Sequence, residues 1–375
     1  MNASDGPAAN YTPLCYSINN PPFMLPPSGA VRFSATFSAV GLTSNLVAFI
    51  VLVNSFRKTQ SRSRSFFLIF LGGLVVTDFM GLLVTGSIVV SFYVTHFNWR
   101  DVDPDCHFCN FMGMSMVFYG LSPLLLGATM AIERFIGINH PFARSTSMPK
   151  SRTVSMVLMV WLLAGCIALL PLMGLGSYHM QIPGSWCFFN ISSEGSDLVF
   201  SLIFSLVGLI SIAVSFLLNT VSVVTLIRVC CGQGGSQRRR DHEVEMMVQL
   251  ILIMLIASIS WCPLLIYVLM SVVTAAPVSA EQLMFSIRMA TCNQIFDPWI
   301  YIMFQVSRLR AVLKKVNPRR DWARGSIMTL YPSFSETVRR FTRSSIGSNL
   351  GSAEMEETEK SKATPPSTSK PPPSP

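Results

Sequence analysis

An apolar stretch of helix length, residues 283–304, contains one arginine and one aspartate, Arg288 and Asp297. An arginine at the centre of a bilayer costs about 2.5–3.5 kcal/mol, so such a residue usually faces the interior of a helix bundle and marks a functional path. The two residues are nine positions apart, which at about 1.5 Å per residue separates them by roughly 13 Å along the helix. Arg288 therefore extends to the membrane surface, pairs with another segment or binds an anion from outside.

Positions nine apart lie on opposite faces of an ideal helix. If Arg288 and Asp297 both face inward, we expect the helix to be kinked or unwound between Asn293 and Pro298. A proline inside a helix removes one backbone hydrogen bond and favours a bend at that point.

Two more polar residues fall in apolar stretches nearer the N-terminus, Asn45 in the first stretch and Asp78 in the second. A carboxylate deep in an apolar helix is costly unless it is paired. Together with Asp297, these residues are expected to form a buried polar cluster that holds a proton, waters or a sodium ion near Asp78 and Asp297. A purely structural network that joins the helices is the alternative. No other cofactor and no metal site are expected.

The composition is that of a membrane protein. The chain is 50% hydrophobic and 13% charged, and its mean hydropathy is +0.48, far from that of a soluble domain. Spanning the hydrocarbon of a bilayer takes roughly 20 residues. Runs of that length recur at about residues 31–55, 66–94, 109–138, 153–175, 198–229, 246–274 and 283–304. We therefore expect an all-α membrane protein, a bundle of seven transmembrane helices over residues 31–304 with a short amphipathic eighth helix.

Basic residues set the expected orientation. They concentrate after the first, third, fifth and seventh runs, for example at Arg57, Arg144, Arg238 and Lys314. Because basic loops stay in the cytoplasm, the N-terminus is predicted outside a plasma membrane and the C-terminus inside. The net charge of +9 then reflects topology and attraction to anionic membrane lipid, and it requires no nucleic-acid partner.

The segments outside the bundle are polar. Residues 1–30 are expected to be an extracellular N-terminus without a cleavable signal peptide, because they lack an apolar core region. Glycosylation sequons lie on the predicted outer side at Asn2, Asn10 and Asn190. Residues 305–316 are basic and amphipathic and are expected to form the eighth helix on the membrane surface. Residues 317–375 are expected to be a disordered cytoplasmic tail open to kinases.

Four cysteines are predicted to lie outside the cell, Cys15, Cys106, Cys109 and Cys187. In that oxidising compartment an even set favours disulfides, and the sequence leaves three pairings of the four open. A bridge from the head of the third helix to the loop that holds Cys187 would fix that loop as a lid over the bundle. The loop has alternating residues around Pro183-Gly184 and is predicted to be a β-hairpin.

The outer half of the bundle favours an anionic ligand. Tyr93 is predicted near the outer end of the second helix, at the depth of Arg288. A tyrosine there is usually a residue of the interfacial aromatic belt, but its hydroxyl could also assist in holding an anion. The outer half of the third helix contains Met116 and no carboxylate, so an amine ligand would lack a counter-ion.

The inner half contains residues suited to a switch. The third helix ends in Glu133-Arg134-Phe135, which is either a simple interfacial ion pair or one half of an exchangeable contact. Glu243, near the start of the sixth helix, offers Arg134 a second partner, and a bistable ion pair is what a switch requires. Trp261 lies beside the helix-kinking Pro263, where it would either couple a ligand to helix motion or simply pack.

No phosphate loop, nucleophile elbow, metal-ligand cluster or internal repeat is present in the sequence, so we do not expect an enzyme. An intramembrane arginine suits two other classes of protein, a receptor for an anionic ligand and a transporter of organic anions. Transporters are typically built from paired repeats with broken helices, and the sequence has neither. A receptor is therefore the first expectation and a transporter the alternative.

Taken in order, the motifs of this chain resemble those of rhodopsin-like G-protein-coupled receptors. The residues that carry the resemblance are Asn45, Asp78, Cys109, Glu133-Arg134-Phe135, Trp161, Trp261-Cys262-Pro263 and Asp297-Pro298-Trp299-Ile300-Tyr301. Within that class, residues 120–127, 183–188 and 288–299 are similar to the prostanoid receptors, and the likeness covers about residues 33–310. Departures from the family pattern are Phe135 in place of tyrosine, Asp297 in place of asparagine, and Cys292 in place of a common tryptophan.

The resemblance implies that Arg288 binds the carboxylate of a prostanoid, with thromboxane as the first expectation and another prostaglandin as the alternative. Further ligand-site residues are then Tyr93, Ser185, Trp186, Met116 and Trp261. The implied disulfides are Cys109–Cys187 and Cys15–Cys106. The implied switch residues are Glu133, Arg134, Glu243, Asp78, Asp297 and Tyr301. The implied partners are a Gq-class G protein that triggers calcium signalling, and receptor kinases and arrestin that act on the tail.

Overall fold

The computed structural model of the chain describes residues 14–17, 28–59, 62–139, 150–232 and 237–316. The sequons at Asn2 and Asn10 and the predicted tail, residues 317–375, lie outside the described residues. Glu243 lies within a described helix, but its side chain is outside what the structure describes.

The described ranges are almost entirely helical. In chain order the α-helices are α1 Leu14–Ser17, α2 Ser28–Lys58, α3 Arg62–Gly81, α4 Ser87–Thr95, α5 Trp99–Val102, α6 His107–Asn139, α7 Lys150–Leu169, α8 Gly195–Gly232, α9 Gln237–Val273 and α10 Ala280–Val316. A π-helical segment, Leu82–Gly86, joins α3 to α4, and a 3₁₀ segment, Leu170–Met173, follows α7. Two strands, β1 Tyr178–Gln181 and β2 Trp186–Phe189, lie between α7 and α8.

The long helices reproduce the predicted spans. Among the described residues, six spans are long and apolar enough to cross a membrane, with α3, the π-helical segment and α4 counted as one. α10 contains the seventh predicted run, and its polar residues, among them Arg288 and Asp297, make it less apolar than the others. Residues 305–316 are helical and continue α10 without an intervening non-helical residue.

The apolar side chains divide into inward and outward groups. One buried cluster lies beside β1 and β2 and includes Phe188 and Leu121. A second lies around Arg134 and includes Phe67 and Leu250. These two ends of the bundle are called the hairpin end and the Arg134 end below.

Large apolar side chains that face outward, with 40% or more of their surface exposed, include Leu158, Met159, Leu162 and Leu163 on α7. An exposed apolar face of this extent is what lipid covers in a membrane protein.

Side-chain amides and hydroxyls tie the helices together across this apolar interior. The Nδ2 of Asn45 donates to the carbonyl oxygens of Gly41, at 2.9 Å, and of Gln294 on α10, at 2.8 Å. Trp161 on α7 donates from Nε1 to the Thr77 hydroxyl on α3 at 3.0 Å. Because lipid supplies no competing water, these contacts have to be made inside the protein.

Removing the hydrogen bond from Asn45 to α10 tests this packing. Asn45→Ala should destabilise the protein by about 1 kcal/mol, because interhelical hydrogen bonds in membranes contribute about 0.6–1.7 kcal/mol. The measurement is thermal unfolding in detergent. Thr43→Val is the matched control, since Thr43 is exposed and its hydroxyl donates to the carbonyl oxygen of Ala39 in its own helix. Equal melting temperatures for Asn45→Ala and Thr43→Val would show that the interhelical bond contributes nothing.

Candidate ligand-binding cavity

The predicted hairpin is confirmed and covers one end of the bundle. β1 and β2 pair antiparallel, with Met180 opposite Cys187 and Gln181 opposite Trp186, and every residue of both strands is buried. The structure contains the disulfide Cys109–Cys187, which joins β2 to α6. The strands are therefore held against the helix ends as a lid.

Two further contacts support the lid. The Tyr178 hydroxyl donates to the carbonyl oxygen of Ala168 at 2.7 Å, and burial raises the pKa of that hydroxyl, which keeps it a donor. The structure also contains the disulfide Cys15–Cys106, which joins α1 to the segment before α6. These two disulfides are the pairs that the resemblance implies.

A cavity lies under the hairpin between α2, α4, α6 and α10. It has about 800 Å³ of atom-free space, its open mouth included. Five of the predicted ligand-site residues line it, Arg288, Tyr93, Ser185, Trp186 and Met116. They come from α10, α4, the hairpin and α6, so the fold brings together residues that are far apart in the sequence.

Arg288 lies on a face of α10 that is turned toward this cavity. The lining residues of α10 are Met284, Ile287, Arg288 and Thr291, whose spacing is that of one helical stripe. The outward face of the same helix contains Phe285 and Phe296, which are 62% and 52% exposed. Arg288 itself is exposed and lies at the edge of this stripe, next to the outward face. Arg288 also interacts with another group of the chain, so a bound anion would share or replace that contact.

Asp297 lies on the other side of α10. The helix is continuous through Asn293 and Pro298, so the expected unwound turn is not found there, and a kink stays a prediction. Asn293 and Asp297 are 0% and 1% exposed. Arg288 lines the cavity while Asp297 is buried, within one continuous helix. The reason is that the cavity adjoins one face of α10 near the hairpin end, while neighbouring helices cover the opposite face farther down.

Tyr93 and Ser185 contact each other above the cavity. The Tyr93 hydroxyl donates to the Ser185 Oγ at 3.3 Å, and both residues are buried. Phe92, beside Tyr93, packs edge-on against Phe97 with ring centroids 5.5 Å apart. The hydroxyl of Tyr93 is therefore held at the lid and is not a residue of an outer aromatic belt.

Trp261 lies deeper than the other predicted ligand-site residues, in an adjoining cavity of about 430 Å³ on the same measure. Thr85, Met116, Ile287 and Thr291 line both cavities. A Cβ on Gly120 of α6 would lie 2.7 Å from Cη2 of Trp261, so only glycine lets the indole pack this closely. The sequence prediction missed Thr85 and Thr291; the spacing of Thr291, three residues after Arg288, could have identified it.

The predicted polar cluster is present. Asp78 is 0% exposed, and neither of its carboxylate oxygens has a hydrogen-bond partner among the described residues. The Oδ2 of Asp297 accepts from Asn293 Nδ2 at 2.9 Å, and Asp297 lies close enough to Asp78 for the two carboxylates to interact. Within the described ranges, further buried oxygens without a partner belong to Asn45, Ser122, Asn219, Asn293, Asp297 and Tyr301. The two neighbouring carboxylates of Asp78 and Asp297 suit a small hard cation or a proton.

At the Arg134 end, the guanidinium contacts residues that the sequence did not suggest. Arg134 is 2% exposed and donates to the Ser63 Oγ and to the Ser63 carbonyl oxygen, at 2.9 and 3.0 Å. Its Nε lies 3.3 Å from Glu133, and its guanidinium lies 5.1 Å from the ring centroid of Phe67. The predicted contact with Glu243 cannot be judged from the described side chains and stays a prediction.

The third sequon falls at the base of the hairpin. Asn190 is half-buried, and its Nδ2, the atom that would carry a glycan, donates to Asp197 Oδ2 at 2.7 Å. This geometry favours a structural role for the side chain, and glycosylation at Asn190 stays a prediction.

Comparison with known proteins identifies relatives over most of the chain. The family model "7 transmembrane receptor (rhodopsin family)" matches residues 44–301. The thromboxane A2 receptors of Chlorocebus aethiops and Homo sapiens are 49% and 48% identical to the chain over 315 residues, which cover 81% of this chain and 90% of theirs. The prostaglandin F2-alpha receptor of Rattus norvegicus is 39% identical over 290 residues, 76% of this chain and 79% of that protein.

A solved structure supports the fold. Squid rhodopsin superimposes with a TM-score of 0.60 over 82% of this chain and 95% of its own, at 19% sequence identity. An identity this low is evidence for the arrangement of the helices alone.

Proposed function

This chain belongs to the rhodopsin family of seven-transmembrane receptors and, within it, to the prostanoid receptors, and we propose that it is a receptor for thromboxane. The ligand would bind in the cavity under the hairpin and activate a Gq-type G protein, with calcium release as the response. The supporting observation is that Arg288 lines the same cavity as Tyr93 and Ser185. We place the hairpin end outside the plasma membrane and the Arg134 end in the cytoplasm, because the basic residues concentrate at the latter.

The carboxylate of the ligand is the group that Arg288 would select. Burying an acyl chain contributes about 0.8 kcal/mol per CH₂, but the bilayer offers nearly the same gain, so chain burial does not discriminate among lipids. A hydrogen bond to a charged group contributes about 1.5–3 kcal/mol, and a guanidinium can make two to one carboxylate. Tyr93 and Ser185 would add hydroxyl contacts, while Met116 and Trp186 would contact the apolar body of the ligand.

Replacing Arg288 tests the anchor. Arg288→Leu should lower the affinity for the free acid about tenfold to hundredfold, because it removes charged hydrogen bonds of the size given above. The affinity for the methyl ester should change much less. Competition binding on membranes measures both. Arg100→Leu is the control, since Arg100 lies on α5 outside the cavity lining. Equal losses for acid and ester would instead mark Arg288 as a structural residue.

Activation would run from the cavity to the Arg134 end. Met116 and Trp261 line the deeper cavity together, so a ligand that presses on this region would act on α9 near Pro263. Movement of α9 would open space for a G protein, and Arg134 would leave its contacts with Ser63 and Phe67. Glu133, Glu243 and Tyr301 are proposed to take part in this change. Receptor kinases and arrestin would then act on the tail.

The contact between Arg134 and Ser63 provides a second test. Ser63→Ala removes the hydroxyl that accepts from Arg134, so the restrained state loses stability and basal signalling should rise about threefold or more. The measurement is ligand-independent inositol phosphate accumulation at matched surface expression. Ser63→Thr retains the hydroxyl and should restore the low baseline. A baseline that stays low in Ser63→Ala would remove this contact from the switch.

We also propose that Asp78 and Asp297 form a sodium site, with oxygens of Asn45, Ser122 and Asn293 completing it. The fit rests on buried oxygen atoms without partners and on two carboxylates that repel each other unless a cation or a proton lies between them. The ion would stabilise the resting arrangement of the helices.

Sodium dependence of agonist affinity tests that site. In the native receptor, agonist affinity should be lower in sodium chloride than in choline chloride of equal ionic strength, because the ion favours the resting state. Asp78→Asn removes one charge and should abolish the difference. A difference of equal size in Asp78→Asn would contradict the sodium site while leaving the ligand assignment unaffected.

A further inference from the structure

One carboxylate holds the base of the hairpin. Asp197, in the first turn of α8, accepts from the Ser177 Oγ through Oδ1 at 2.9 Å and from Asn190 Nδ2 through Oδ2 at 2.7 Å. Ser177 directly precedes β1, and Asn190 directly follows β2. A single side chain therefore ties both ends of the hairpin to α8, and this arrangement of Asp197, Ser177 and Asn190 is called the hairpin clamp.

Other hydrogen bonds extend the clamp. The Asn190 backbone N–H donates to the Ser177 carbonyl oxygen at 2.9 Å, and the Ser201 Oγ donates to the Asn190 carbonyl oxygen at 3.4 Å. The Nε2 of His179, a residue that is 1% exposed, lies 2.8 Å from the Ser177 Oγ. Because the Ser177 hydroxyl hydrogen is directed at Asp197, the imidazole Nε2–H is the donor in that pair.

The hydrogen bonds to the Asp197 carboxylate are stronger than those between neutral groups. A carboxylate in the first turn of a helix is stabilised by the helix dipole, and hydrogen bonds to an ionised acceptor are roughly twice as strong as neutral ones. Backbone geometry adds to this. Gly176 has a φ of +113°, and a Cβ there would lie 2.9 Å from Cβ of Phe200 on α8. The chain can approach α8 this closely only with glycine before Ser177.

On the side toward α9 and α10, a separate cavity of about 730 Å³ of atom-free space, open mouth included, lies beside the hairpin. It is lined by Gln181 and Ile182 near the turn, by Asn190 and Ile191 after β2, and by residues of the connection to α10, among them Val278. The disulfide at Cys187 holds the middle of β2 on α6. At the base of the hairpin, Asp197 holds both ends on α8, and the Tyr178 hydroxyl adds its bond to Ala168.

We infer that the hairpin clamp determines how long a ligand stays in the cavity, an inference that rests on the proposed function. Ser185 and Trp186, at the far end of the hairpin from the clamp, line the ligand cavity. A ligand that leaves beneath the hairpin requires these residues to move, and lid motion commonly sets release rates. Asp197 is a positioning residue in this scheme, since it does not line the ligand cavity.

The test is the dissociation rate of a tritiated thromboxane mimic from membranes that contain the full receptor. Asp197→Ala should raise the dissociation rate constant roughly tenfold while the number of binding sites is unchanged, because most changes in affinity within one site appear in dissociation. Asp197→Asn keeps one acceptor oxygen without the charge and should lie in between. Ser177→Ala and Asn190→Ala should each reproduce part of the effect, and neither should add to Asp197→Ala.

Glu194→Gln is the matched control. Glu194 is an exposed acid three residues before Asp197, so its removal changes the charge on the same segment without removing a hydrogen bond of the clamp. It should alter the association rate of an anionic ligand and leave dissociation unchanged. Hydrogen exchange of the peptide that spans β1 and β2 gives a readout without ligand, and in Asp197→Ala that exchange should accelerate.

The possible outcomes distinguish failure of the proposed function from failure of the inference about the clamp. Absence of saturable binding of the mimic to the native receptor would overturn the proposed function, and faster exchange in Asp197→Ala would still support the clamp. Normal binding to the native receptor with an unchanged dissociation rate in Asp197→Ala would overturn the inference alone. An effect of Asp197→Ala that neither Ser177→Ala nor Asn190→Ala reproduces would also overturn it, because Asp197 would then act on the ligand directly.

Discussion

Polar groups inside a bilayer have to find their partners within the protein, and the arrangement of α10 follows from this constraint. Near the hairpin end, Arg288 and Thr291 line a cavity that also contains the hydroxyl-bearing residues Tyr93 and Ser185. Farther along, Asn293 and Asp297 turn to the opposite side and bond to each other within the bundle. One helix therefore contributes both to the proposed site for an anionic ligand and to a buried polar centre.

The hairpin covers the same cavity at the hairpin end of the bundle. Its disulfide to α6, the contact between Tyr93 and Ser185, and the clamp at Asp197 fix the lid at three separate points. Below, Met116 is shared by both cavities and Trp261 lines the deeper one. The proposed ligand site therefore adjoins α9, which is the physical requirement for transmitting a binding event to the Arg134 end.

Much of the architecture was predictable because lipid imposes simple rules on sequence. Runs of apolar residues long enough to span hydrocarbon identified the helices, and the alternation around Pro183-Gly184 identified the hairpin. Individual side-chain contacts were harder to predict from the sequence. Beside its ion pair with Glu133, Arg134 donates to the hydroxyl and the carbonyl oxygen of Ser63. The contact with Ser63 was not predictable, because a serine near a helix start has no distinctive pattern. The role of Asn190 was also hidden, since its tripeptide matches a glycosylation sequon.

By itself, the sequence identified the charged residues that lie in apolar segments, Arg288, Asp78 and Asp297. Each of them needs a partner or a polar space inside the protein. It also determined the helix spans, because length and hydropathy are local properties. Only the tertiary structure decided that Arg288, Tyr93 and Ser185 meet at one cavity, and that Arg288 lines this cavity while Asp297 is buried on the other side of the same continuous helix. Those facts depend on which neighbours surround each face of a helix, and helical periodicity alone does not specify them.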